Sequence, residues 1–494
     1  MKWANFLHVY QPAEQQKDIL EAVIAESYRP LFKHFRDNDV RLTLNINGSL
    51  LELFDKYGHQ DLIEMLKEAG LKGHIEFTGS AKYHSFLPFL DAEEIERQIR
   101  INDETNKFYL GDAYKPKGFF PPEMAYTELL PPILEKLGFK WLIIDEIAFN
   151  GKPDAVDYTK FYKIKDSHLN VFFKERKITN VIMSAIARSP KTLVQILKND
   201  IPTDKYLVTG MDGETFGHHR PGMELMLFDL LSSPDFDFVR ISDLLKDKRE
   251  TVEFRPVVST WATSQIDLER DVPFLSWNDP TNEVHTMQHK LLAIALKFGK
   301  NIDAKKDTHA RELLDIGTAS DHFWWASAKP WWSLEMIEDG AYKLMEAIRA
   351  MPNITSEILA ETGELYEGII STAFNWQRTG KIHAMMRDRN TIVRIPFKDR
   401  TVGKGGAEVG VYYAFIDMMT QLEDKAREKG EYEKAILWRD AKFKLEHKLD
   451  IYDAVHAVDL LRIEIPNEEV EATIKKYKEK YTSIRGGQPE QRGA

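Results

Sequence analysis

Two short stretches carry a carboxylate where chemistry could be done. The first is Gly118-Phe-Phe-Pro-Pro-Glu-Met-Ala-Tyr126, with Glu123 behind a proline pair. The second is Thr209-Gly-Met-Asp-Gly-Glu-Thr-Phe-Gly217, with Asp212 before a glycine. Each follows a short apolar run, 117–120 and 206–211, that predicts a buried strand. Pro121 and Pro122 stop the first, since neither donates to a ladder and both fix φ. Gly213 permits the turn after the second. In an α/β barrel, acids at strand ends converge on one face however far apart they lie in sequence. Asp212 stands 89 positions after Glu123 (212 − 123). Two carboxylates ~5–5.5 Å apart across such a mouth perform retaining glycoside hydrolysis. One attacks the anomeric carbon; the other protonates the leaving oxygen and later activates water. Taken singly, each acid reads more simply as a helix cap or a solvated loop residue. The pair alone does not identify a sugar enzyme.

The elements that must position these acids alternate. Strand patterns fall at 3–7, 42–46, 74–78, 117–120, 141–144, 206–211 and 254–259. Helical patterns fall between them at 19–36, 50–69, 91–109 and 125–137, while 171–173 and 178–184 read either way. About seven strands separated by helices imply βαβ units and a parallel sheet, and predict a β/α barrel, complete or slightly irregular. An open doubly wound sheet is the alternative, lowered by the lack of a Gly-rich phosphate loop after the first strand. Beyond Pro280 the pattern turns helical, at 282–298, 308–319, 333–351, 356–374, 407–427, 432–449 and 468–481. The predicted division is a barrel over 1–280, a helical region over 281–482 packed on it, and a disordered tail over 483–494.

Composition bounds the partners. The chain of 494 residues carries a net charge of −11, which argues against nucleic acid or an anionic membrane. No run approaches the ~20 apolar residues of a membrane span. The N-terminus lacks the features of a secretion signal, so a cytoplasmic location is expected. With no cysteine, thiol catalysis, disulfides and Cys-ligated zinc are excluded. His218-His219 does not read as a metal pair, because adjacent residues rarely present to one ion. Trp324, Trp325, Trp331 and Trp332 form the densest aromatic cluster. Packing against the barrel suits most of them, and stacking on sugar rings suits one or two. Trp261 and Trp277 are further candidate platforms.

Five motifs in order resemble glycoside hydrolase family 57, the retaining α-glucan enzymes. They are His8-Val-Tyr-Gln-Pro12, Gly73-His-Ile-Glu76, Phe120-Pro-Pro-Glu123, Asp212-Gly-Glu-Thr-Phe-Gly217 and Ser320-Asp-His-Phe-Trp-Trp-Ala326. Tyr10 stands where the family usually has a second histidine, His74 where Gln is common, and Pro121-Pro122 replaces a Trp-Leu lead-in. The resemblance implies an irregular (β/α)7 barrel followed by a helix-rich C-terminal region. It implies Glu123 as nucleophile, ionised with help from a nearby cation or hydroxyl, and Asp212 as acid/base with a raised pKa. It implies contacts to substrate from His8, Tyr10, Gln11, Glu76, Asp321, Trp324 and Trp325, with Glu214 behind Asp212; Trp261 joins these expected contacts from its strand-end position alone. No cofactor or metal is implied, and the partner is an oligo- or polysaccharide. Hydrolysis and glucanosyl transfer both fit. A metal-dependent deacetylase or mannosidase-like hydrolase and a non-catalytic glucan-binding homologue are the alternatives.

Overall fold

The computed structural model describes residues 1–183, 189–303, 305–329, 331–389, 398, 409–447 and 451–484. The tail expected over 483–494 lies mostly outside the described residues. Among the described residues ten strands form: β1 Lys2–Val9, β2 Leu42–Ile46, β3 Ile75–Phe77, β4 Gly118–Phe119, β5 Trp141–Asp145, β6 Phe161–Ile164, β7 Asn170–Lys174, β8 Tyr206–Asp212, β9 Asp237–Val239 and β10 Thr251–Phe254. They make two five-stranded sheets. One runs β3-β2-β1-β8, with β9 beside the first residues of β1; the other runs β10-β6-β7-β5-β4. Every ladder is parallel except β6 with β7.

The two sheets meet at two joints, one between the edge strands β3 and β4 and one between the edge strand β8 and the end of β7, inside the other sheet. Gly79, just past β3, bridges Phe119, giving its N–H to Gly118 O and accepting from Phe120 N–H, each at 2.9 Å. Past β7, the Glu175 N–H donates to Val208 O of β8 at 2.8 Å. The architecture is α/β with parallel sheets and a helix-rich C-terminal region. Its ladders form two sheets with single joints rather than one continuous ring.

Side-chain parity explains how the strands aim their ends. Ala4 and Phe6 of β1, Trp141 and Ile143 of β5, Phe172 of β7, and Tyr206 and Val208 of β8 share one apolar cluster. Alternate residues point the other way: Trp3, Leu7 and Val9 pack with Leu207 and Met211, and Leu142 and Ile144 with Val171 and Phe173. A period of two therefore puts His8, Asp145, Lys174 and Asp212 on the shared inner face at the C-terminal strand ends.

Three expected elements differ. The strand expected at 254–259 ends at Phe254, because Pro256 cannot join a ladder. The helix expected at 125–137 begins only at Leu130. Pro131 and Pro132 are tolerated in a first turn and not further in. The helix expected at 19–36 contains a π-helical turn, Ile24–Tyr28, just ahead of Pro30, which has no N–H to give back to that turn. The ambiguous stretches resolve as β7 and as helix Arg176–Met183.

The C-terminal helices make two cores. Glu283–Gly299, Thr308–Gly317, Leu334–Ala350 and Ser356–Thr379 bury Leu291, Leu314, Ile337, Leu344 and Ile369 together, joined by Phe86 and Ala125 from sheet-end loops. Val409–Glu428, Tyr432–His447, Ile451–Glu464 and Asn467–Ile484 bury Phe415, Met419, Trp438 and Leu461. Among the described residues no helix is long and apolar enough to cross a membrane.

Candidate active site

Glu123 is aimed by a strained turn. Pro121 and Pro122 end β4, and the chain then enters the left-handed region at Glu123 (φ 61°) and Met124 (φ 49°). Neither residue is glycine, and such conformations cost about 1–3 kcal/mol each. The turn holds because Met124 N–H donates to Pro121 O at 2.8 Å and Trp261 N–H to Glu123 O at 3.2 Å. The carboxylate itself accepts from Trp261 Nε1 at 2.7 Å and from Ser320 Oγ at 3.4 Å. His84 Nδ1 stands 3.9 Å from Glu123 Oε1.

Asp212 faces the same cavity from the end of β8. Its loop is seated on the π turn. Gly217, at φ 113°, lies so close that a Cβ there would meet Glu26 O at 1.9 Å. Ser27 Oγ donates to Gly213 O at 3.0 Å. Tyr28 donates to Glu214 Oε1, which also accepts the Tyr10 N–H at 3.0 Å. Glu214 is thereby fixed by two donors. Gln11 completes this corner, its Nε2 donating to Tyr28 Oη at 3.3 Å.

Burial dominates the electrostatics. It pushes Glu123 up to about 8, with the charge of Asp212 adding to it and the Trp261 and Ser320 donors opposing it. Burial raises Asp212 to about 6 against the pull of Lys174. Burial and then Asp212 raise Glu214 to about 7. Asp321 rises to about 6 by burial, opposed by the Tyr10 hydroxyl, which donates to it at 2.7 Å. His8 falls to about 4 by burial, so it is neutral; its Nδ1 lies 2.8 Å from Asn45 Oδ1. The expected cation is thus beside Asp212 rather than Glu123. Lys174 and Arg176 both pair with Asp145, at 3.2 and 2.5 Å. Arg176 also donates to Trp261 O and Thr263 O, which fixes the indole that serves Glu123.

A cavity of about 970 Å³ brings ten of the eleven expected residues together: His8, Tyr10, Gln11, Glu123, Asp212, Glu214, Trp261, Asp321, Trp324 and Trp325. Glu76 is not among its walls. Its Oε2 accepts from Thr43 Oγ at 3.3 Å and from the Ser242 N–H at 3.0 Å, at the start of helix Ile241–Leu244. It sits in the middle of β3, below the strand ends. Trp277 is likewise core, buried against Phe86 at 4.9 Å between ring centroids. Of the clustered tryptophans, Trp324, Trp325 and Trp331 line the cavity, with centroids 4.9–5.8 Å apart. Trp332 stacks on Trp376 inside the helical core. Among the polar residues not foreseen are Ser320, as a ligand of Glu123, and His84, whose ring stacks with Tyr10 at 4.2 Å and with His8 at 4.9 Å. Ser320 opens the fifth motif, but only the fold shows that it reaches Glu123. His84 lies in a loop with no periodicity to mark it. His218 Nδ1 sits 2.6 Å from Glu26. Among the described residues no group of three or more His, Asp or Glu is arranged to hold a metal ion.

A carboxylate pair at strand ends, walled by indoles, is the kind of site that glycoside hydrolysis uses. Residues 3–251 match glycosyl hydrolase family 57, and the chain belongs to that family. Over 94 residues it is 29% identical to an alpha-amylase of Niallia circulans, covering 18% of this chain and 7% of that protein. Over 153 residues it is 28% identical to a 1,4-alpha-glucan branching enzyme of Thermococcus kodakarensis, covering 25% of this chain and 22% of that protein. The matches thus span less than a quarter of either curated relative. A solved structure of a 4-alpha-glucanotransferase from Thermococcus litoralis superposes with a TM-score of 0.59 at 17% identity, over 71% of this chain and 60% of that one. That likeness is one of fold.

Proposed function

We propose that the protein is a retaining glycosidase or transglycosylase acting on α-glucans, with an irregular (β/α)7 barrel as its catalytic scaffold. The observation that carries this reading is the pair of partly buried acids, Glu123 and Asp212, electrostatically coupled in one indole-walled cavity. The activities of the similar proteins, alpha-amylase, branching enzyme and 4-alpha-glucanotransferase, suggest the substrate class.

In the first step a Glu123 oxygen bonds to the anomeric carbon as the bond to the leaving oxygen breaks, and the proton of Asp212 goes to that oxygen. In the second, the Asp212 carboxylate takes a proton from water or a sugar hydroxyl. That oxygen bonds to the anomeric carbon, and the ester to Glu123 breaks. Water as acceptor gives hydrolysis, and a sugar hydroxyl gives transfer. His8, Tyr10, Gln11 and Asp321 offer hydrogen bonds to the ring being transferred, and Trp324 and Trp325 offer apolar faces to neighbouring rings.

One observation favours the opposite roles. Burial and the charge of Asp212 favour protonated Glu123, while Lys174 favours ionised Asp212. A coupled pair titrates as a unit, and the working form needs only that its single proton reach the acid/base. Azide separates the two assignments. Glu123→Ala should be rescued by azide to give a β-glycosyl azide, because azide then attacks in place of the nucleophile. Asp212→Ala should give the α-glycosyl azide, because azide attacks the covalent intermediate. The reverse pattern would exchange the roles, and no rescue of either variant would sink the double displacement.

A further inference from the structure

We propose that His84 is a positioning residue for Glu123: its Nδ1–H orients the Ser320 hydroxyl so that Ser320 donates to Glu123 Oε1 and favours the carboxylate form that attacks. This rests on Glu123 being the nucleophile. Ser320 Oγ donates to Glu123 Oε1 at 3.4 Å, and His84 Nδ1 lies 2.8 Å from the same Oγ. A hydroxyl has one proton. If it is given to Glu123, the Oγ accepts from His84, and the ring must carry its proton on Nδ1. Nε2 then holds a lone pair. It is sealed from solvent and has no partner among the described residues, which a lone pair tolerates better than an N–H.

The pair is fixed by the backbone on both sides. Ser320 N–H donates to His84 O at 3.1 Å, and Phe86 N–H to Thr318 O at 3.3 Å. Ser85 and Ala319 form an antiparallel bridge. His84 itself adopts φ 55°, and its ring packs near-parallel to those of Tyr10 and His8, at interplanar angles of 17° and 16°. The sheet half of the chain thus supplies the ring and the helical half supplies the hydroxyl. Burial, and then the neighbouring His8, hold the His84 ring well below its ordinary pKa, so it donates as a neutral ring. The charged and titratable groups that face Glu123 and His84 are Asp212 from β8, Asp321 from the helical region, and His8 and Tyr10 from the end of β1. Asp212 and Asp321 favour protonated Glu123, and the Ser320 and Trp261 donors oppose them.

Full pH profiles of kcat and kcat/KM on a maltooligosaccharide test this with Ser320→Ala, His84→Phe and His84→Asn. Phenylalanine keeps the stacked ring without the N–H, and asparagine returns an N–H near Nδ1. Ser320→Ala and His84→Phe are expected to move the alkaline limb up by about half to one pH unit and to lower kcat about tenfold, with KM within about twofold. His84→Asn should bring the limb back toward the wild type. A merely structural role would change the melting temperature or KM and leave the limb in place, and that result overturns the proposal. If Glu123→Ala shows azide rescue while the limbs stay put, the positioning role alone fails. If Glu123→Ala shows no rescue, the nucleophile assignment fails and the positioning role with it.

Discussion

At the scale of the residue, the site is a competition between burial and a few donors. Glu123 and Asp212 are each raised by burial, and Asp212 raises Glu123 further. Between about 6 and about 8 the pair holds one proton, and the proposed double displacement needs that proton on Asp212 with Glu123 ionised. Below that range both acids are protonated and the nucleophile is lost; above it both are ionised and the leaving oxygen receives no proton. The expected kcat/KM profile is a bell with its maximum near neutrality. A flat profile from pH 5 to 9 would contradict this. Asp321→Asn should remove a charge that opposes ionised Glu123, but it also leaves Tyr10 without its carboxylate partner. A rise in KM of about tenfold or more on maltooligosaccharides is expected, read from steady-state kinetics. Glu123 and Asp212 were legible in the sequence as candidates because each follows an apolar run and adjoins a turn-forming residue, Pro122 before Glu123 and Gly213 after Asp212. His84 and Ser320 were not, since their pairing joins positions 236 apart.

At the scale of the element, strand parity decides which polar residues reach the cavity. His8 and Asp212 have the inner parity at strand ends and line it. Glu76 sits mid-strand and serves the Ser242 N–H instead. Glu76→Ala is therefore expected to cost about 1–3 kcal/mol of stability, seen as a lower melting temperature, while kcat stays within about twofold. An unchanged melting temperature with a large rise in KM would restore Glu76 to the substrate. The motif around Glu76 was readable, but its depth along β3 was not, because depth depends on where neighbouring strands begin. The brief β6 and β9 also escaped notice, being four and three residues long. Pro131 and Pro256, by contrast, were visible signals that the expected helix and strand had the wrong limits.

At the scale of the molecule, the site is assembled from both halves of the chain. The family match stops at residue 251, yet Ser320, Asp321, Trp324, Trp325 and Trp331 come from beyond it. A second tie reaches further. Arg220, in the loop that follows Asp212, forms a buried two-bond pair with Asp459 of helix Ile451–Glu464, at 2.7 and 2.9 Å. Arg220 also donates to Ile182 O and Met183 O. Asp459→Ala removes the carboxylate that faces a buried guanidinium and is expected to cost about 3–5 kcal/mol. Arg220→Ala combined with it should cost less than the two single changes together, as thermal melts of the four proteins would show. The sequence displayed a helix-rich region after Pro280. It did not display that this region brings a ligand of Glu123 and a brace for the Asp212 loop, because neither depends on local pattern.

The most direct test of the central claim uses Asp212→Ala and α-maltotriosyl fluoride. Fluoride leaves without a proton, so the first step proceeds, while the missing base stalls the second. Mass spectrometry of the digested protein should find one maltotriosyl group on the peptide that contains Glu123. A maltotriosyl group on any other peptide, or none alongside release of a β-configured product, would contradict Glu123 as the nucleophile of a retaining enzyme.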